Sequence, residues 1–285
     1  MMHDPFKIDS PTCLSFSMGR TSAYMLWRVL QANHGIPPEL EVQCANAGLE
    51  AEESLQFWRD VCNHWGVPIA LVEYRDNEIG FAEVNFETAS RNGEPFEAII
   101  RKRQYLPNPV TRFCTSELKI RTMHKRLRSV RAWEDWDQMI GIRADEHRRV
   151  AKIRARGTST ESSHETMVLP LADAGVTVQE VNAFWKTQPF TLNLGTNAAG
   201  RTTEGNCVYC FLKPPAQRLS IAREGRYPIS WWVRAEDGSL VPGATGDGAR
   251  FTKDGPSYAQ IEAYARDQRD MFDPDDEAIA CFCGD

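Results

Sequence analysis

Thr12-Cys13-Leu14-Ser15-Phe16, then Ser17-Met18-Gly19-Arg20-Thr21-Ser22, then Ala23-Tyr24-Met25-Leu26-Trp27-Arg28-Val29-Leu30 reads as buried strand, polar turn and helix. Such a turn suits an anion. Gly19 lets the backbone approach a ligand closely, the hydroxyls of Ser15, Ser17, Thr21 and Ser22 donate hydrogen bonds, and the helix N-terminus attracts negative charge. Arg20 adds a fixed positive charge. No Gly-Lys-Ser/Thr follows the turn, so the Walker pattern is absent, as is a dinucleotide fingerprint.

Outward from this turn, strands and helices alternate. Residues 41–45 read as a second strand ending at Asn46-Ala47-Gly48. Leu55, Trp58, Val61, Cys62 and Trp65 then recur at helical spacing over about residues 51–65, and Gly66 stops that helix before a third strand begins at Val67. Residues 75–110 look irregular, a lid or an insertion. A basic helix is expected over 116–128, a fourth strand over 137–142, a polar linker over 155–166 and a helix over 176–188. Ile229-Ser230-Trp231-Trp232-Val233 reads as a strand.

The rhythm predicts an α/β fold: an open, mostly parallel twisted sheet with helices on both faces and right-handed crossovers. Residues 1–200 are expected to form the nucleotide-binding α/β domain. Residues 201–285 would be a cysteine-rich C-terminal part packing on it.

Charge and composition narrow the setting. No apolar run approaches the roughly 20 residues needed to span a bilayer, and the start lacks the basic and apolar regions of a secretory signal. A cytoplasmic protein with no membrane contact is the expectation. The net charge of −6 hides a basic block, because residues 101–156 carry 16 Lys and Arg against six Asp and Glu. That block of about +10 inside an otherwise acidic chain suggests an anionic partner, a polyphosphate or a nucleic acid.

Of the eight cysteines, Cys13, Cys44 and Cys62 sit in apolar segments and read as small buried hydrophobes. Cys207-Val208-Tyr209-Cys210 places two sulfurs within reach of one metal, and Cys281-Phe282-Cys283 adds two more. Four thiolates suit zinc or an iron–sulfur cluster on ligand type. Spacing alone makes a structural Zn²⁺ site the natural guess.

Several of these stretches together resemble a known family. Ser17-Met18-Gly19-Arg20-Thr21-Ser22 is similar to the Ser-Gly-Gly-X-Asp-Ser PP-loop of the ATP pyrophosphatase superfamily. Asn46-Ala47-Gly48-Leu49-Glu50, Trp65-Gly66-Val67-Pro68, Cys114 before Leu118-Lys119, Gly141-Ile142-Arg143-Ala144-Asp145-Glu146 and Cys207-X-X-Cys210 resemble, in order, the phosphoadenosine phosphosulfate (PAPS) reductase family. The match covers roughly residues 11–215. It departs at Met18, where a Gly is usual, and at Thr21, where ATP-cleaving members carry an Asp; Thr is a poorer Mg²⁺ ligand than a carboxylate.

The resemblance implies an adenine nucleotide α-hydrolase-like fold. An adenine nucleotide would be the substrate, held by Ser15, Ser17, Gly19, Arg20, Thr21, Ser22, Asn46 and Gly48, with Mg²⁺ an open question. Arg143 and Lys119 would clamp phosphate or sulfate oxygens. It further implies a [4Fe–4S] cluster on Cys114, Cys207, Cys210 and Cys281, with Cys283 as a tail nucleophile, although only Cys283-Gly284 matches the family's usual tail.

Three functions follow. The first is thiol-dependent reduction of PAPS or adenylyl sulfate: Cys283 attacks the sulfur, and an external dithiol such as a thioredoxin-like donor releases sulfite. The alternative is ATP-dependent, iron–sulfur-dependent sulfur transfer to a nucleic acid held by the 101–156 stretch. A third is a zinc-stabilised nucleotide- or nucleic-acid-binding module. A homo-oligomer is compatible with each.

Overall fold

A computed structural model describes residues 4–241 and 249–267. Its centre is a six-stranded sheet in the order β4-β3-β2-β1-β5-β6. The strands are β1 (Thr12–Ser15), β2 (Leu40–Asn46), β3 (Ala70–Tyr74), β4 (Phe81–Val84), β5 (Trp136–Ile140) and β6 (Glu165–Val168). All neighbours are parallel except β3 and β4. The expected mostly parallel α/β sheet is therefore present, with helices packed around it.

β1 lies between β2 and β5, so the chain leaves the sheet in opposite directions on its two sides. Ligands of open α/β sheets bind at such a switch point, beyond the carboxyl ends of the strands. Leu14 is fully buried, and so are Leu26, Met25 and Val29 on α1 (Arg20–Asn33), which starts directly after the polar turn. Helix α2 (Glu52–Trp65) begins with Glu52 and Glu53, which complement its positive N-terminal end, and ends at Gly66 in the left-handed conformation that glycine adopts without strain.

Several elements differ from expectation. The irregular stretch 75–110 contains β4 and α3 (Glu94–Arg103). The expected linker 155–166 holds the last turn of α6 (His147–Arg156) and the start of β6. The basic helix begins as a short turn, α4 (Phe113–Thr115), passes through a π-helix (Ser116–Arg121) and continues as α5 (Thr122–Arg131). The Thr122 hydroxyl donates to the Glu117 carbonyl five residues back at 2.7 Å, which suits the wider π turn. After α7 (Pro170–Asp173), helix α8 (Val178–Trp185) carries a capping box between Thr177 and Glu180.

The remaining helices are α9 (Pro215–Glu224), α10 (Ser230–Glu236) and α11 (Tyr258–Asp267). Trp231 and Trp232 thus lie on a helix, not a strand. Their aromatic content favours a strand locally, but Trp232 packs against Phe96, Phe251 and Tyr258, and that core decides. Val208, Tyr209, Phe211 and both tryptophans share one buried cluster with Leu14, Val42 and Leu71 of the sheet.

Glu236 ties the last elements together. Its carboxylate is buried and accepts the backbone N–H groups of Phe251 at 3.0 Å and Tyr258 at 2.8 Å. Glu236→Ala leaves two buried donors unpaired, at a cost of about 2–4 kcal/mol. Urea unfolding should show that loss, with Glu236→Gln intermediate; an Ala variant as stable as the parent would contradict this role.

Candidate nucleotide and cysteine site

The turn after β1 closes on itself. The backbone N–H of Ser17 donates to Ser22 Oγ at 3.1 Å, and Ser22 Oγ donates to the Gly19 carbonyl at 3.1 Å. The Ser17 and Ser22 hydroxyls are 3.0 Å apart. Met18 sits at φ 58°, the left-handed region that glycine adopts most readily. Its side chain is 2% exposed, so burial offsets the backbone strain.

β5 presses on this loop from the other side of β1. A β-carbon on Gly141 would lie 3.2 Å from Ser22 Cα and 3.3 Å from its nitrogen. Next along, Arg143 is 3% exposed, donates from Nη1 to Thr21 Oγ1 at 3.0 Å and from Nε to Asp145 Oδ1 at 3.0 Å, and has Glu146 3.7 Å away. Arg143 therefore braces the loop from beneath. Thr21 is engaged by that guanidinium. Arg20 also turns away: it donates to the carbonyls of Leu192 and Leu194 at 2.6 and 2.9 Å and to Thr202 at 3.3 Å. It anchors the 192–202 segment over the helix start.

Ser15, Ser17 and Ser22 line one end of a cleft of about 800 Å³, bounded by the π-helix, α5, α6 and β6. Lys119 lines it too, 3.9 Å from Glu50. Asn46 and Gly48 do not. Asn46 is fully buried and donates to Glu73 and to the Ser90 carbonyl while accepting from Gly48. Gly48 accepts the Gly93 N–H at 2.8 Å, with φ 78° and no room for a β-carbon beside Gly93 and Pro95. These bonds engage both residues in shaping the end of β2. Ala45 and Glu50 face the cleft in their place.

The basic block folds into a wall. Arg103 closes α3, Arg121 ends the π-helix, and Arg149, Lys152 and Arg156 stand on α6, all lining the cleft. Arg121 is paired with Glu161 at 2.7 Å, Arg103 with Glu117 and Arg149 with Glu146. The composition of 101–156 pointed to an anion site, but the helix α6 that carries three of these cations was not read as an element, only its end falling in the expected linker 155–166. The period of Val150 and Ile153, both buried, was the available signal.

Cys114, Cys207 and Cys210 line a second, small cavity of about 20 Å³ together with Lys119, Phe96 and Trp232. Cys207 and Cys210 are 9% and 8% exposed. The 207–210 turn is held to the end of β2 by the Val208 N–H donating to the Leu49 carbonyl at 3.0 Å, and Cys207 Sγ lies 3.9 Å from Glu50 Oε1. Among the described residues, no three Cys, His, Asp or Glu side chains converge closely enough to hold a single metal ion. Cys281 and Cys283 lie outside the described residues.

Cys13 and Cys44 are fully buried, as expected, and burial pushes the Cys13 thiol up to about 12 and the Cys44 thiol well above its ordinary value. Among the described residues no helix is long and apolar enough to cross a membrane.

No protein-family model matches the chain. It is 27% identical over 218 residues to an uncharacterised nin region protein, ORF290, of Escherichia phage lambda, covering 73% of this chain and 68% of that protein. Among solved structures it is similar to a U34-tRNA thiolase, NcsA, from Methanococcus maripaludis with its [4Fe–4S] cluster. That similarity covers 95% of this chain and 85% of the other, at 15% identity and a TM-score of 0.41.

Two predictions follow from this geometry. Gly141→Ala must displace Ser22, so pyrophosphate and ATP should bind at least about tenfold more weakly in titration calorimetry, with roughly 1–3 kcal/mol of stability lost. Unchanged binding would separate β5 from the loop's function. A raised thiol pKa in the fold stabilises it fully below the unfolded value of about 8.5, and the contribution is lost as pH rises toward the folded value. Urea midpoints should therefore fall more steeply above about pH 8.5 for the wild type than for Cys13→Ala.

Proposed function

We propose that the chain is an adenine-nucleotide-dependent sulfur transferase whose acceptor is a nucleic acid. The observation that carries this reading is the position of Lys119, which lines both the cleft of the phosphate loop and the cavity of Cys114, Cys207 and Cys210. Nucleotide chemistry and sulfur chemistry then share one wall. The cations of α3, the π-helix and α6 line the same cleft, Arg103, Arg121 and Arg149 each held by a glutamate, and suit the phosphates of a polymer.

The serine hydroxyls and helix start of the loop hold the nucleotide phosphates, with Arg143 keeping the loop in shape from below. Lys119 supplies positive charge between the phosphates and the thiols. The donor types suit an iron–sulfur group: three soft sulfur side chains line one small, largely buried cavity. Cys114, Cys207 and Cys210 would hold it. When bound, such a group supplies a place to carry the sulfur that is delivered.

Reduction of an adenylyl sulfate rests on Cys283, which lies outside the described residues, whereas the transferase reading draws on the described cleft. The transferase reading therefore replaces it.

Anaerobic purification with iron and sulfide analysis, followed by assays with ATP and single-stranded RNA, tests the proposal. Pyrophosphate or AMP release that requires RNA and falls steeply with salt is the expected result. Sulfite release from PAPS or adenylyl sulfate without nucleic acid would overturn it in favour of reduction. One zinc per chain and no turnover would leave a binding module.

A further inference from the structure

Six large apolar side chains are exposed among the described residues, and two of them, Tyr105 and Val110, share the loop of residues 104–112. The other four lie on four separate segments. Tyr105 and Val110 both line the cleft, as do Arg103 and Arg112, which bracket the loop. Tyr105 is 39% exposed and Val110 93%, so the pair stands at the cleft mouth. Apolar residues scattered singly over a surface are ordinary, but two on one loop beside a charged cleft mark a contact surface.

The loop is built to hold them there. At its start Gln104 ends α3 in the left-handed conformation, its N–H donating to the Ile100 carbonyl at 2.8 Å. Leu106 and Pro107 are buried, and so is Phe113 just past the far end, which anchors the loop at both ends. At the tip, Asn108 Oδ1 accepts the N–H groups of Val110 and Thr111 at 2.9 Å each, and the Asn108 N–H donates to the Thr111 carbonyl at 3.2 Å. Pro107 and Pro109 fix the backbone on either side of Asn108. The Tyr105 ring meets Phe113 edge-on, with centroids 5.1 Å apart and planes at 82°. An aromatic ring already held in place loses little freedom when a ligand stacks on it.

Charge selects the partner. Residues 101–112 hold Arg101, Lys102, Arg103 and Arg112 and no acidic residue. Arg101, Lys102 and Arg103 are paired with Glu97, Asp76 and Glu117, but their side chains stay 40–62% exposed. Exposed pairs of this kind hold weakly, so an incoming phosphate can exchange with the carboxylate. An aromatic ring flanked by cations suits a single strand, because the ring stacks on a base whose face is free while the cations take the phosphates. A duplex hides those faces in its own stack. We propose that residues 104–112 are a stacking platform for one unpaired base of a single-stranded nucleic acid, with Tyr105 on the face of the base and Val110 against its edge. The proposal rests on the transferase reading above and specifies that its acceptor is unpaired. The platform binds the strand and sets which form of nucleic acid reaches the cleft; no bond forms or breaks on it.

The full chain is titrated by fluorescence anisotropy with a labelled RNA of about 12 nucleotides, single-stranded or annealed to its complement, over a range of salt. Tyr105→Ala should weaken single-strand binding about tenfold and leave the slope of log Kd against log salt unchanged, since stacking releases no counterions. Tyr105→Trp should bind at least as tightly as the wild type. Val110→Ser, at a site too exposed to affect folding, should cost about threefold. Arg103→Gln should instead reduce the salt slope by about one. Duplex binding should be equal in the wild type and Tyr105→Ala. Because Arg103 and Arg112 make residues 104–112 one tryptic peptide, light-induced crosslinking from a strand carrying 5-iodouridine should mark that peptide at Tyr105. Unchanged single-strand affinity in Tyr105→Ala, a loss that falls equally on the duplex, or a crosslink that avoids this peptide would each overturn the proposal. A strand held on Tyr105 that elicits no pyrophosphate or AMP release from ATP would leave the platform standing and bring down the transferase reading. No binding of either form at low salt would bring down both.

Discussion

The approach of β5 to the loop after β1 is the constraint on which the site depends. A β-carbon on Gly141 would crowd the Ser22 backbone at 3.2–3.3 Å, and two residues later Arg143 reaches to Thr21. Moving β5 away would deprive Thr21 of its partner and Arg143 of one of its acceptors. The serines are thus held at the switch point of the sheet by strands on either side of β1, and the cleft opens where those strands end. Arg20 completes the frame from above by tying down the 192–202 segment.

Around this frame one continuous helical passage serves two sites. The π-helix between α4 and α5 alters the turn at Ser116–Arg121, so Cys114 faces the cysteine cavity while Lys119 lines both cavities and His124 the cleft alone. Single π turns inside helices are rare and occur often at functional sites, where they change which side chains share a face. The Glu50 side chain joins the two sites from the opposite wall. It receives the N–H groups of Ala47 and Leu49, and it approaches both Cys207 and Lys119.

Legibility in the sequence varied with the length and regularity of each segment. The β1–loop–α1 unit was readable because a buried strand, a glycine turn and an amphipathic helix are each local patterns. β6 is four residues long with a buried Glu at its start, a pattern that no periodicity reveals. The strand expected at Trp231-Trp232 became a helix because packing against Phe96, Phe251 and Tyr258 outweighs the intrinsic preference of tryptophan. Asn46 and Gly48 were read as ligand contacts from a motif. Their hydrogen bonds to Glu73, Ser90 and Gly93 lie in segments the motif does not contain.

What the sequence determined by itself was the class of sheet, the place of the Ser17–Ser22 turn between β1 and α1, and the net charge of the 101–156 block. Each of these depends on neighbours within a turn or two of chain, where covalent spacing sets the geometry. Only the tertiary structure decided which charged groups face the cleft and which are spent on support. Arg143 and Thr21 meet across 122 residues, Arg20 and Leu192 across 172, and His124 and Glu165 across 41. Such partners are selected by the fold of the sheet, because a guanidinium or imidazole removed from water must find its acceptor wherever the chain brings one.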